Sequence, residues 1–394
     1  MPVQTKNNYS AWVEVDLGAI RHNFRAIRKL TDQRKVGSRI SVKKACKDCC
    51  PQILSVVKAD SYGHGMLPAA RELVKSGTDF LGVSEVSEGV VLRQNGVKKS
   101  VLVLETPLPS ALKQIVDYDL IATVCAYGTA SALNAYARSL NKKAAVHVKV
   151  DTGMGRLGVR YQDACDFIKK ISSLSHLDVQ GIYTHFPVAD TDQEFTVKQI
   201  DIMSDIVHQL DREGLIIPYI HGANSIGMTR YDTRIFNVVR PGLMLYGLYP
   251  AKGYERVIAL KPAMSVKARV IFVKMVEKDR GISYGHTFVS KKNMKVATLS
   301  IGYNDGFMRA FSNKADVLIG GKRCKVLGRV TMDQIVVDVT GVENARIGSE
   351  AVIIGKQKKE IVSADELAGY ANTINYEIVC SLGNRLPRVY KNGQ

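Results

Sequence analysis

The sequence predicts an α/β protein: an N-terminal (β/α)8 barrel over about residues 1–250, followed by a mostly β domain over residues 251–394. Three observations carry this reading. Between residues 53 and 243, short β-branched runs alternate eight times with amphipathic segments, the rhythm of parallel strands covered by helices. After Tyr249-Pro250 the texture changes to alternating strands joined by Gly- and Asn-rich turns. The chain of 394 residues is too long for one ordinary domain, and its 46% hydrophobic residues supply a core that disordered or low-complexity chains lack.

Taken in order, the runs are Ile53–Lys58, Phe80–Val83, Val101–Leu104, Ile121–Val124, Ala145–Val150, Val179–Tyr183, Ile216–Ile220 and Phe236–Val239. Their Val and Ile content suits strands buried on both faces. Helical spacing fills the gaps at Pro68–Lys75, Glu85–Gln94, Thr129–Leu140, Asp163–Ile171 and Phe195–Arg212. Eight such units favour a closed barrel, although an open doubly wound sheet shares the periodicity, which does not by itself show closure. The second domain's strands are expected at Lys267–Lys278, Met294–Ile301, Asp316–Ile319, Lys325–Leu327, Ile335–Val339 and Ala351–Ile354. Ser363 and Glu366 have capping-box spacing and open a short helix through Tyr370.

Lys and Arg number 55 against 37 Asp and Glu, and the net charge of +18 draws anions without choosing among them. One concentration, at Arg34, Lys35, Arg39, Lys43, Lys44 and Lys47 in a basic insert of about residues 34–52, contains no aromatic residue. It reads as a solvated loop, since nucleic-acid surfaces stack bases on rings. The seven cysteines, Cys46, Cys49, Cys50, Cys125, Cys165, Cys324 and Cys380, are odd in number and scattered, so a reducing, cytoplasmic location is expected. Cys46 and Cys49 form a CxxC without a second ligand pair at zinc spacing, and no metal is expected. No signal peptide and no membrane span are evident.

In a barrel the chemistry lies where strands end at their carboxyl side. Lys58 ends the first run in VVKADSYGHG, where partial desolvation disfavours the ammonium and favours a nucleophilic amine. Alone, it reads first as a lysine snorkelling from a strand end. Its company changes that: Tyr62 brings a hydroxyl, and Gly63 and Gly65 permit close backbone approach. The fifth run ends in KVDTGMGRLG, with Lys149 and Arg156 flanking a loop that could equally owe its glycines to structure. The sixth and seventh end in THF, with His185, and HGANS, with His221, Asn224 and Ser225. The eighth ends in VVRPGLMLYG. There Arg240 faces the barrel mouth, and the N–H groups of Gly242 and Leu243 with the Ser225 hydroxyl suit a phosphate at the last two strands. A phosphorylated cofactor then accounts for the lysine.

VVKADSYGHG, KVDTGMGRLG, THF, HGANS, VRPGLMLYG, SYGHTF, TMDQ and INYE occur in the order seen in alanine racemases, and the chain resembles that family from about Trp12 to Tyr390. The resemblance implies an isomerase that uses pyridoxal 5′-phosphate and interconverts L- and D-alanine for peptidoglycan. It also implies a head-to-tail homodimer whose sites combine one barrel with the partner's second domain. Lys58 matches the lysine that holds the cofactor and serves as one acid/base; Tyr284, in SYGHTF, matches the opposing base. Inversion requires proton removal on one face and delivery on the other, so two groups are needed. Tyr62, Ser225, Gly242, Leu243 and Tyr376 match phosphate ligands. Arg156 matches the group that holds the cofactor phenolate and seats the substrate carboxylate with Met332. Arg240 matches the partner of the pyridine nitrogen. His185 matches the link from the tyrosine to Arg240. Leu104 and Asn224 fall among the cofactor-contacting positions, with His221 and Asp333 behind them. Lys149 matches a lysine that many relatives carry as a carbamate, and an ordinary lysine is the alternative.

Asp60, Gly222 and Thr331 depart from the family's usual Asn, Cys and Cys, and none of them is an implied acid/base. The rival activity is a broader racemase acting on serine or basic amino acids. The resemblance implies that Tyr284 and Tyr376, matching tyrosines that narrow the family's entrance, favour a small side chain instead. A non-catalytic regulator that binds the same cofactor would keep Lys58 without needing Tyr284.

Overall fold

The computed structural model describes residues 9–34, 50–251 and 253–393. Most of the basic insert lies outside these residues, including Lys35, Arg39, Lys43, Lys44, Lys47, Cys46 and Cys49. The chain divides into two compact units: residues 20–61 with 66–261, and residues up to 19 with 62–65 and 262 onward.

β1 (Ala11–Asp16) belongs to the second unit and is followed by a helix at Leu17–Asp32. The first unit is built on β2 (Gln52–Val56), β3 (Phe80–Val83), β4 (Ser100–Val103), β5 (Ala122–Val124), β6 (Ala144–Asp151) with the two-residue β7 (Val159–Arg160) at its end, β8 (Leu177–Tyr183), β9 (Tyr219–Asn224) and β10 (Val238–Arg240). Their order is β4-β3-β2-β10-β9-β8-β6-β5, parallel throughout, and a parallel bridge from Leu102 to Ile121 joins the two ends. The ring is therefore closed, and the open-sheet alternative falls. Leu81, Val83, Val146, Val148 and Val150 are fully buried, because ring interior and helix layer cover opposite faces of the same strands.

The helices follow from spacing and caps. Gln193–Arg212 begins where the Asp192 carboxylate accepts the Phe195 N–H, and it buries Gln199, Met203, Ile206 and Leu210 along one stripe. Leu17–Asp32, for which the sequence reading had no counterpart, buries Ile20, Phe24 and Ile27 in the same manner. One strand is displaced from expectation. The run Ile216–Ile220 becomes a strand only from Tyr219, after Pro218, which cannot donate to a ladder. The Asn237 carboxamide closes this junction, bonding the Pro218 carbonyl and the Ile220 N–H. His221 and Asn224 thus lie within β9 rather than after it.

Apart from β20, the second unit is antiparallel: β11 (Met264–Val276), β12 (Gly281–Ile282), β13 (Phe288–Val289), β14 (Met294–Leu299), β15 (Asp316–Ile319), β16 (Lys322–Leu327), β17 (Ile335–Asp338), β18 (Glu350–Gln357), β19 (Glu360–Val362) and β20 (Arg388–Lys391). Six of them, β11-β14-β17-β16-β15-β18, return to β11 and leave no open edge in the ring. β1 pairs with β11 antiparallel and with β20 in parallel, and Trp12 is completely buried there. Ser363 caps Ala364–Ala371 by accepting the Glu366 N–H, as its spacing predicts, and left-handed Asn372 ends that helix. No helix among the described residues is long and apolar enough to cross a membrane.

Candidate active site

Lys58 lies just past β2 and opens a turn of unusual hand. Ala59, Asp60, Ser61 and Tyr62 all have φ between +51° and +55°, and Gly63 comes next at +78°. Left-handed helix costs an L-residue roughly 1–2 kcal/mol, so the four non-glycine positions store about 4–8 kcal/mol. Hydrogen bonds offset this: Ser61 N–H to the Val57 carbonyl at 2.9 Å, and Met66 N–H to Asp60 Oδ1 at 2.7 Å. Asp60, one of the departures from the family pattern, is thus used through its carboxylate.

The interior of the ring is a polar stack. Arg240, the last residue of β10, is buried and donates to His221 Nδ1 at 2.9 Å, the Thr184 carbonyl at 2.8 Å, the Gly222 carbonyl at 3.3 Å and His185 Nδ1 at 3.3 Å. A guanidinium only donates, so His221 Nδ1 accepts and its proton resides on Nε2, which reaches His147 Nδ1 at 2.9 Å. The chain of donors therefore runs from Arg240 through His221 to His147. His147 Nε2 is buried and has no partner among the described residues. The ring of Tyr183 stacks on His221 at 4.6 Å and lies beneath both the Arg240 guanidinium and the Lys149 ammonium.

Burial, then the Arg240 charge, pushes His147 and His185 down to about 3 and holds His221 well below the ordinary imidazole value. Burial pushes Arg240 down to about 10, which leaves it charged at neutral pH, and lifts the Tyr183 phenol to about 12. Lys149 is 4% exposed; burial first, then Arg240 and Arg156, brings it to about 7. Such an amine is about half neutral at pH 7, the form that reacts with carbon dioxide.

The imidazoles make acid stability a test of this stack. The unfolded chain protonates histidine near 6.5, whereas the folded chain resists to well below that, so stability is complete above that pH and is lost as pH falls. At pH 5 His147 and His185 each withdraw about 2 kcal/mol, and His221 acts in the same direction. We expect the urea midpoint to fall steeply between pH 7 and 5; an unchanged midpoint would show that these rings accept protons in place.

Lys58, Lys149, Arg156 and Arg240 all bear on His185 electrostatically, and among the described residues Arg240 bonds no carboxylate. The Asp151 carboxylate is engaged by the N–H groups of Gly153 and Gly155, and it shapes the loop on which Arg156 is exposed. At the ends of β9 and β10, the Gly242 N–H meets Ser225 Oγ at 3.4 Å beside buried Leu243. Four cations against the single nearby carboxylate of Asp151, next to hydroxyl and amide donors, fit an anionic, phosphorylated group. Leu104 lies half-buried after β4, its carbonyl accepting from the Tyr183 hydroxyl. Asn224 bonds Gly227 N–H and the Phe186 carbonyl, so its carboxamide holds the loop after β9. At Gly222 a Cβ would sit 2.6 Å from the Phe236 ring; the phenylalanine fills the space of the missing side chain.

In the second unit Tyr284 stands between left-handed Ser283 and Gly285 on the β12–β13 connection, with Ser283 Oγ bonded to the Arg329 carbonyl at 2.6 Å. This turn leaves Tyr284 73% exposed. Met332 is 53% exposed, and the neighbouring Asp333 pairs with Arg385, which also makes a two-point bond to buried Asp305. Tyr62 and Tyr376 have ring centroids 6.1 Å apart.

The sequence reading missed His147 and Tyr183. His147 lies inside β6 and Tyr183 ends β8, and the period-two spacing of His147 with Lys149 and of Tyr183 with His185 was the available signal. Gly181 belongs with them, since a Cβ there would lie 2.7 Å from the His147 ring.

Residues 15–250 match the family model for the alanine racemase N-terminal domain, and residues 263–390 that for the alanine racemase C-terminal domain. The alanine racemase of Halothermothrix orenii is 42% identical over 382 residues, 97% of each chain. The alanine racemase structure of Clostridium difficile 630 superposes with a TM-score of 0.89 at 34% identity, covering 98% of this chain and 97% of that one. That of Bacillus anthracis with bound L-Ala-P gives 0.86 at 32% identity, over 98% and 96%. With both of its domains matched in order and nearly its whole length aligned, this chain belongs to the alanine racemase family and is an amino-acid isomerase.

Proposed function

We propose that the protein interconverts L- and D-alanine with pyridoxal 5′-phosphate, using Lys58 and Tyr284 of the partner subunit as opposed acid/base groups. The gathering of Lys58, Lys149, Arg156 and Arg240 around His185, in which Asp151 is the one carboxylate acting on Lys149 and Arg240 bonds no carboxylate among the described residues, is the observation that carries the reading. When bound, the cofactor supplies a conjugated system that accepts the electron pair left at the substrate's α-carbon.

This chain's residues do the rest. Lys58 holds the cofactor through Nζ and carries a proton to or from one face. Tyr62, Ser225, Gly242, Leu243 and Tyr376 hold the phosphate by hydroxyl and backbone donors. Arg240 donates to the ring nitrogen without surrendering its proton, which limits electron withdrawal and discourages transamination. His221 and His147 orient Arg240 from behind. Arg156 receives the cofactor phenolate and the substrate carboxylate, assisted by the Met332 N–H. Lys149, with an amine brought to about 7, carries a carbamate that turns a repulsive neighbour of Arg156 into an attractive one. His185, a neutral imidazole touching Arg240, links the tyrosine to that charge.

The protein works as a homodimer in which the second domain serves the partner's barrel. The exposure of Phe272, Met275, Tyr284, Val289, Tyr303 and Met332 on one unit supports a covered apolar face. D-Alanine made in the cytoplasm feeds peptidoglycan. The test is a chiral assay on cofactor-loaded enzyme with L-alanine, L-serine, L-lysine and L-arginine. Alanine should exceed the others by about 10-fold or more, the discrimination a close-fitting pocket gives. Protein that takes up no cofactor, or prefers a basic substrate, would overturn the proposal.

A further inference from the structure

Glu88 lies outside the ring of groups assigned above, on the helix Val86–Gln94 that succeeds β3. Its carboxylate has two distinct tasks. Oε2 accepts the N–H groups of Ser84 at 2.7 Å and Glu85 at 3.4 Å, which caps its own helix. Oε1 accepts the N–H of Ala59 at 2.7 Å, a bond that capping does not need.

Ala59 is the residue after Lys58 and the first of the left-handed run. Asp and Asn side chains ease that conformation by local bonding, and glycine adopts it freely; alanine has neither means. Its N–H, at the start of the turn, finds an acceptor only from outside the turn. Ser61 and Asp60 secure the later part of the turn through Val57 and Met66, and Glu88 secures its beginning against the end of β3.

We propose that Glu88 is a positioning residue for Lys58: its carboxylate locks the left-handed turn to the neighbouring strand end and so fixes the backbone from which the lysine reaches its cofactor. The inference rests on the role given to Lys58. A turn free to relax towards right-handed geometry would swing that backbone, and a small misplacement of a reacting group is costly.

Glu88→Gln separates the two tasks. A carboxamide keeps the larger number of bonds by turning its carbonyl to Ser84 and Glu85, which presents its NH2 group to the Ala59 N–H, donor against donor. Hydrogen–deuterium exchange is read on holoenzyme and on enzyme stripped of cofactor. Amides in a peptide spanning 57–66 should exchange about 10-fold faster in both forms, with a peptide spanning 84–94 unchanged, as expected for loss of one charge-assisted bond. Cofactor release should quicken by about 10-fold, and kcat should fall similarly with KM for alanine nearly constant. Unaltered exchange at 57–66 would overturn the proposal, as would equal loosening of both peptides, which would make Glu88 a helix cap alone. Faster exchange with wild-type cofactor release and kcat would also overturn it. A parallel Lys58→Ala variant separates the two failures: if that variant still racemises alanine, the role of Lys58 is wrong, whatever Glu88 does to the turn.

Discussion

Lys58→Ala is expected to purify without the visible absorbance of bound cofactor and to racemise alanine at least about 10⁴-fold more slowly, because one side chain both holds the cofactor and moves a proton. The fold should survive. Lys58 is half-buried at a strand end rather than in the core, and its truncation creates no cavity among the Val and Leu side chains of the ring. Thermal unfolding of the cofactor-free variant should therefore lie close to that of cofactor-free wild type, while absorbance and turnover are both lost. Retention of colour and turnover would transfer the role to another amine.

Tyr284→Phe is expected to keep the cofactor and lose about 10²–10⁴ of the rate, the usual worth of one acid/base group. The two alanines have equal free energies in water, so kcat/KM must fall equally in both directions whichever face has lost its group. The asymmetry appears elsewhere. In deuterated water, one enantiomer should continue to exchange its α-hydrogen through Lys58 without inverting, and the other should stop exchanging. Exchange of both enantiomers at wild-type rates would remove Tyr284 from the reaction. Mixing Lys58→Ala with Tyr284→Phe adds a test of the shared site. Each hybrid dimer then holds one centre with both groups intact, and activity should return well above that of either parent; no recovery under conditions of subunit exchange would place both groups on the same chain.

Much of this was legible because burial on two faces leaves a simple trace. Phe80–Val83 is a strand with the bounds its apolar run predicts, and Lys58, Arg240 and Ser225 could be located by looking at or just past the carboxyl end of each run. Groups that act from within a strand escaped. His147 alternates with Lys149 and Asp151 between valines, which marks one polar face, but nothing in that run says that its Nδ1 meets His221 across the ring. Glu88 escaped for a different reason: a glutamate near a helix start reads as a cap, and its second bond depends on the backbone of a turn far away in sequence. The left-handed turn itself was hidden, since Ala59 has no preference for that hand and only Gly63 hinted at it. The displacement of β9 to Tyr219 shows the remaining weakness, where Ile216 and Ile217 look like strand but precede a proline.

The place of β1 also governs how the molecule can be made. Its two neighbours, Met264–Val276 and Arg388–Lys391, leave the ribosome only after every barrel strand, so Trp12, Val13 and Val15 must wait uncovered through nearly all of translation. Residues 11–16 and 388–391, far apart in sequence, are thus neighbours in one sheet. Trimming a few residues beyond Tyr9, or clipping the tail before Arg388, will therefore unravel the domain that displays Tyr284, even though the first of these cuts looks on paper like a change to the front of the barrel.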